Sequence, residues 1–169
     1  MDKLVLIDGH SILNRAFYGV PDLTNSEGLH TNAVYGFLNI MLKILEEEKA
    51  DHAAVAFDLK EPTFRHEMYD AYKGTRKPMP QELHEQVPVM KDVLKAMGIP
   101  IITLEGFEAD DILGTVAKKS QSQGIEVSVV SGDRDLLQLA DGHIKIRIPK
   151  TSRGGTEVKD YYPEDVKRE

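Results

Sequence analysis

The stretch KLVLIDGH, residues 3–10, is a short and nearly unbroken apolar run that ends on a carboxylate and a glycine. A run of this length closed by a turn signal reads as a strand buried on both faces, the kind that parallel sheets use. The pattern returns in AAVAFD (53–58), PIITL (100–104) and IEVSVVSGD (125–133), and a fifth β-rich run, HIKIRI, occupies 143–148. Between these runs the period changes to that of a helix. Val34, Phe37, Leu38, Met41, Ile44 and Leu45 recur at helical spacing behind Thr31 and Asn32, two good N-cap residues. Leu83, Val87, Met90, Leu94 and Met97 repeat the pattern, with Gly98 placed to end the helix. A third helix is predicted from Asp110 through Ile112, Leu113 and Val116 to Gly124, and a short fourth over 134–140. Strands alternating with helices predict one α/β domain over 1–169, with a mainly parallel central sheet flanked by helices. Gly154 and Gly155 read as the turn of a C-terminal β-hairpin.

Composition narrows the chemistry. With 41% apolar residues the 169-residue chain has material for a core, and its 21 Lys and Arg against 28 Asp and Glu leave a net charge of −7. That balance argues against a generally basic nucleic-acid binder, but not against a local basic patch. The absence of cysteine removes disulfides, zinc–thiolate sites, iron–sulfur clusters and thiol nucleophiles together. Asp2 and Asp8 bracket the first apolar run, unlike a signal peptide or membrane span, so a soluble cytoplasmic protein is expected. Neither a GxxxxGK[ST] loop nor a GxGxxG turn is present, which disfavours a nucleotide-binding enzyme.

The carboxylates carry the functional signal. Asp8 and Asp58 directly follow strand candidates, Glu108 and Asp133 come shortly after two more, Asp110 and Asp111 open a helix, and Asp135 stands two residues beyond Asp133. In an open parallel sheet the C-terminal strand ends share one edge, where ligand sites form. Each acid alone reads as a turn or cap residue; seven arriving at one edge do not. Such a cluster stays ionised only if cations compensate it. An all-oxygen set without cysteine favours Mg²⁺ or Mn²⁺ over zinc, and the lack of an EF-hand loop disfavours a calcium sensor. Two ions about 3.5–4 Å apart, flanking a phosphodiester, would use so many ligands.

A second feature is the segment 59–80, where Lys60, Arg65, Lys73, Arg76 and Lys77 stand against Glu61, Glu67 and Asp70. Its local charge is positive, and Phe64, Tyr69 and Tyr72 are interleaved with the cations. Cations neutralise phosphates and rings stack on unpaired bases, so a basic helical insert here suits single-stranded or flap-like nucleic acid. The alternative is a solvated amphipathic helix. Arg15, Phe17 and Tyr18, just beyond Asp8, have the same double reading of helix packing or DNA contact.

The motifs LVLIDGHSILNRAFY (4–18), AVAFD (54–58), YDAYKGTRKPMP (69–80), GFEADDILGTVAKK (106–119) and VVSGDRDLLQL (129–139) span nearly the whole chain. In this order and spacing the chain resembles the N-terminal 5′→3′ exonuclease domains of bacterial type I DNA polymerases, within the flap endonuclease family of PIN-like fold. The resemblance implies metal ligation by Asp8, Asp58, Glu108, Asp110, Asp111, Asp133 and Asp135. It implies catalytic phosphate contacts by Lys73 and Arg76, with Arg15, Phe17, Tyr18, Arg65, Tyr72 and Lys77 toward DNA. It further implies Mg²⁺ or Mn²⁺ as cofactor with no small-molecule cofactor, DNA 5′ ends or flaps as substrate, and a polymerase portion of the same parent chain as partner. A monomer without membrane association, near the bacterial nucleoid, is the matching expectation. Family members continue into a helix–turn–helix-type module with further aspartates, so a chain ending at YYPEDVKRE is expected to be a weakly active or inactive fragment. Competing readings are a PIN-type ribonuclease, which shares the carboxylate edge, and a receiver-like domain phosphorylated on Asp58.

Overall fold

The computed structural model describes residues 2–57, 80–103, 109–132, 134–140, 143–152 and 155–161, with backbone alone at 109–110, 134–135, 150–152 and 155–157. In chain order the elements are β1 (Lys3–Asp8), α1 (Gly9–Gly19), α2 (Asn32–Glu48), β2 (His52–Ala56), α3 (Gln81–His84), α4 (Gln86–Ala96), β3 (Ile101–Ile102), α5 (Ala109–Ser122), β4 (Glu126–Val130), a 3₁₀ turn (Arg134–Leu139), β5 (Ile144–Ser152) and β6 (Gly155–Tyr161). The strands form a six-stranded sheet in the order β3-β2-β1-β4-β5-β6. All neighbours run parallel except β5 and β6, which form the antiparallel hairpin expected around Gly154 and Gly155. The basic helical insert predicted over 59–80 lies outside the described residues, apart from Pro80.

The continuous apolar runs are explained by burial on both sides. Val5, Ile7, Val55 and Phe57 point into a core shared with α1, α2 and α4, where Phe37, Met41 and Met90 are fully buried. Leu6, Ala54 and Ala56 alternate with them toward α5, Val127, Val129, Ile144 and Ile146. Helices therefore cover both faces, as right-handed crossovers between parallel strands require.

Four expectations change. Residues 9–19 form α1, for which the sequence marks no bounds because it begins directly on Asp8 with no linker; its buried positions Gly9, Ile12, Leu13 and Ala16 have helical spacing. The single helix predicted through Leu83–Met97 is broken at Glu85. Pro88 is the cause, since its ring excludes the bond to the His84 carbonyl that a continuous helix would make. β3 spans two residues instead of five, although Val55 N–H and Phe57 N–H still reach Pro100 O and Ile102 O. The helix predicted over 134–140 is a 3₁₀ turn.

The start of α2 departs from the predicted capping in an instructive way. Thr31 makes no side-chain cap bond, and Asn32 lies inside the helix. The cap comes from Gln86 of α4, which has no exposed surface: its Oε1 accepts from Ala33 N (2.7 Å) and Val34 N (3.1 Å). Gln86 Nε2 donates to Asn32 Oδ1 (2.9 Å), and Asn32 Nδ2 donates to Phe17 O and Val20 O at the end of α1 (3.0 and 3.1 Å). One buried amide pair thus ties three helices. Close contact between α1 and α2 also requires Gly36, where a Cβ would stand 2.7 Å from Ala16 Cβ.

At its other end α2 presents Glu47 and Glu48, an unfavourable charge for a helix C-terminus. The sheet reverses the sign. Arg147 of β5 donates to Asp160 Oδ1 (2.7 Å) and Glu47 Oε2 (3.3 Å), and its Nη1 lies 3.1 Å from Glu48 Oε1. Lys145 Nζ is 2.6 Å from the same oxygen, and Lys3 Nζ is 3.9 Å from Glu48 Oε2. Burial opposes the Arg147 charge, but hydrogen bonding and attraction to Asp160, with Glu48 and Glu47, outweigh it and hold its pKa above the usual guanidinium value. Among the described residues no helix is long and apolar enough to cross a membrane.

Replacing Gln86 with Ala should strand two amide donors at the start of α2 and one acceptor on Asn32. Each buried unmet group costs about 1–3 kcal/mol, so a loss of roughly 3 kcal/mol is expected, read as a lower urea midpoint. A midpoint unchanged from the parent protein would show that the Gln86 cap contributes nothing.

Candidate metal centre

β1 and β4 are neighbours in the sheet although the chain leaves β1 toward β2 on one side and reaches β4 from β3 across the other. Their C-terminal ends are thus a topological switch point, where connections diverge and leave a crevice. Ile7 is paired with Val130, so the residues that follow, Asp8 and Ser131, meet at the mouth of this crevice. Asp8 is 7% exposed and Ser131 fully buried. Ser131 Oγ donates to Asp8 Oδ2 at 3.0 Å. Ser11 N–H reaches Asp8 Oδ1 at 3.4 Å, so the same carboxylate caps α1 and profits from the positive end of its dipole.

Around this carboxylate the chain is packed tightly. Phe57, buried at the end of β2, lies so close to Gly9 that a Cβ there would stand 2.6 Å from the ring. The His10 ring meets Phe57 edge-on, with centroids 5.2 Å apart, and Lys91 Nζ of α4 sits 5.2 Å from the Phe57 centroid. Phe57 thereby draws an imidazole and an ammonium to the strand-end edge. The sequence reading missed both His10 and Lys91, and Ser131 and Ser11 as well. His10, Ser11 and Ser131 lie within quoted motifs, but their partners are set by packing.

The predicted site residues divide into three groups. Asp8 stands at the crevice as expected, and half-buried Asp111 lies in the first turn of α5, which starts at the same edge because it must run back against the strands. Asp110 and Asp135 have described backbone only, in α5 and the 3₁₀ turn. Asp58, Glu108, Asp133, Arg65, Tyr72, Lys73, Arg76 and Lys77 lie outside the described residues. Among the described residues no three His, Asp or Glu side chains gather as a metal site. The donor at hand is a buried carboxylate oriented by a hydroxyl and an amide, and hard oxygen of this kind fits a hard divalent cation.

Of the residues expected to face DNA, Phe17 packs against the helical side of the core and touches Tyr18 edge-on, with centroids 5.1 Å apart. Tyr18 is 68% exposed. Arg15 donates from Nη1 to Pro149 O and from Nη2 to Gly132 O, both at 3.0 Å.

A family model described as the 5′-3′ exonuclease, N-terminal resolvase-like domain matches residues 3–169. DNA polymerase I of Bacillus caldotenax is 51% identical over 165 residues, which are 98% of this chain and 19% of that protein. DNA polymerase I of Bacillus subtilis is 50% identical over 165 residues, 98% of this chain and 18% of that protein. The chain thus spans about a fifth of the length of these relatives. A bacteriophage T5 flap endonuclease, solved as a pseudo-enzyme–product complex with DNA and metal ions, shares the fold with a TM-score of 0.69. It is 21% identical, with 98% of this chain and 60% of that one covered. The strand order also separates this sheet from that of receiver domains, in which the second strand is outermost, before the first and third.

Gly9→Ala should force the Phe57 ring away from β1. Overpacking of this kind costs about 1–3 kcal/mol, and a urea midpoint lowered at constant slope would report it. An unchanged midpoint would mean that the ring yields freely.

Proposed function

Because the chain belongs to the 5′-3′ exonuclease N-terminal domain family, we propose that it is the 5′-nuclease part of a DNA polymerase I. In this reading it hydrolyses phosphodiester bonds at DNA 5′ ends and flaps during repair and Okazaki-fragment processing. The observation that carries the reading is the buried Asp8 carboxylate at the switch point, in a chain that matches the family from residue 3 to residue 169.

Asp8, Asp58, Glu108, Asp110, Asp111, Asp133 and Asp135 would hold divalent ions, Mg²⁺ or Mn²⁺ by their oxygen donors. Two such ions, when bound, supply activation of water and stabilisation of the leaving oxygen. The chain's own residues do the rest. Asp8 offers an oxygen already fixed in direction by Ser131 and by the first turn of α1. Lys73 and Arg76 would grip the scissile phosphate and offset the charge that develops on it. Arg65, Tyr72 and Lys77, with exposed Tyr18, would hold the strand beside it through charge and stacking.

The test is a gel assay of a 5′-flap DNA duplex, and of RNA of the same shape, with Mg²⁺, Mn²⁺ or chelator. Slow cleavage of the DNA with metal and none with chelator is expected. Preference for the RNA would move the assignment to a ribonuclease, and turnover in chelator would remove the metal from the mechanism.

Lys73→Ala should separate chemistry from folding. A cation that serves only the substrate shifts stability by less than about 0.5 kcal/mol when changed to Ala, whereas loss of one transition-state contact slows the reaction on the order of a hundredfold. Single-turnover flap cleavage set beside urea unfolding reads both, and a variant that keeps its rate but loses stability would make Lys73 structural.

A further inference from the structure

Ser11 and Arg15 are four residues apart on α1 and so share one face of the helix. Both are engaged by the chain as it leaves β4. Gly132 N–H donates to Ser11 Oγ at 2.7 Å, and Gly132 O accepts from Arg15 Nη2 at 3.0 Å. The other arm of the guanidinium donates to Pro149 O in β5. The fit leaves no room for a side chain, since a Cβ on Gly132 would lie 1.9 Å from Arg15 Nε. One residue earlier, Ser131 is held by its N–H on Arg147 O (3.1 Å) and by its hydroxyl on Asp8 Oδ2 (3.0 Å), with Ser11 Oγ 3.4 Å from the same hydroxyl. Helix α1, the β4 exit and β5 are thereby locked into one body immediately before Asp133.

We propose that Ser11, Arg15 and Ser131 are positioning residues: a clamp that aims the Asp8 carboxylate and fixes the β4 exit, setting the affinity for divalent metal and not the affinity for DNA. The proposal rests on the metal-dependent reading given above. Its chemical logic is that the donors from Ser131 and Ser11 are neutral. A hydroxyl and an amide orient a carboxylate without themselves neutralising it. Partners of this kind, one step removed from the ion, commonly set metal affinity. Arg15, for its part, directs two donors at main-chain carbonyls, a forked geometry that a lysine cannot reproduce.

The experiment compares the parent protein with Ser131→Ala and Arg15→Lys in three measurements. Mn²⁺ binding without DNA is followed by electron paramagnetic resonance, 5′-flap DNA binding in chelator by fluorescence anisotropy, and exchange of the Gly132 amide by NMR. Both variants should bind Mn²⁺ about 10–100-fold more weakly, as expected for loss of an outer partner, while the DNA Kd stays within about twofold. The Gly132 amide should exchange faster in Arg15→Lys than in the parent. Ser131→Cys, similar in size but a weaker donor, covers the case in which the alanine variant does not fold, and should fall between parent and alanine. Saturable Mn²⁺ binding that the substitutions leave unchanged would overturn the clamp alone. Weaker DNA binding in chelator by Arg15→Lys with full Mn²⁺ affinity would overturn it in favour of a DNA contact. If the parent shows no saturable Mn²⁺ binding, the metal reading itself fails and the clamp's purpose falls with it.

Discussion

The hydrogen bond from Ser131 to Asp8 bridges two strand ends that the chain reaches by opposite routes, and the arrangement of the domain follows from making that bridge possible. Parallel strands cannot be joined by tight turns, so each crossover must carry a helix over one face of the sheet. Sending β1 toward β2 and β4 to the other side of β1 places α1, α2 and α4 on one face and α5 on the other. The reversal leaves a crevice only where the two routes part. A carboxylate at that point can be buried, because a side-chain hydroxyl at the end of β4 and a main-chain amide from α1 both turn donors toward it.

Buried polar groups are costly without partners, and the helical layer that supports this site meets the requirement in two places. The amides of Gln86 and Asn32 join the end of α1, the start of α2 and the start of α4. The ion cluster around Glu48 and Arg147 joins the end of α2 to β5, whose main chain in turn receives the amide of Ser131. Each network fixes an element that touches the crevice. α1 bears Ser11 and Arg15, and β5 supplies the carbonyls of Arg147 and Pro149. Apolar packing alone would stabilise these layers but would leave their register free to slide; directional bonds select one register.

Electrostatics divides the molecule in a similar way. Its net charge of −7 combines the carboxylates proposed above as metal ligands with cations that cluster in sequence after Asp58. In the function proposed above, the acids need cations between themselves and the phosphates, while the basic segment attracts the strand directly. The two charge classes therefore have complementary tasks.

The strand and helix alternation, the two-faced burial and the hairpin were legible in the sequence because each residue's burial leaves a periodic mark that needs no partner to be read. The family motifs were legible for the same reason, as local strings, and one of them contains Asp8, which the structure buries at the end of β1 beside β4. Other features were decided by packing. α1 hides behind Asp8 because strand and helix meet without a linker, and the α2 cap comes from Gln86, more than fifty residues away. Ser131 meets Asp8 across 123 positions, and Arg15 meets Gly132 across 117. A hydrogen bond depends on the register of two separate segments at a scale of tenths of an ångström, and no local pattern in either segment carries that register; it exists only once the sheet has placed their backbones side by side.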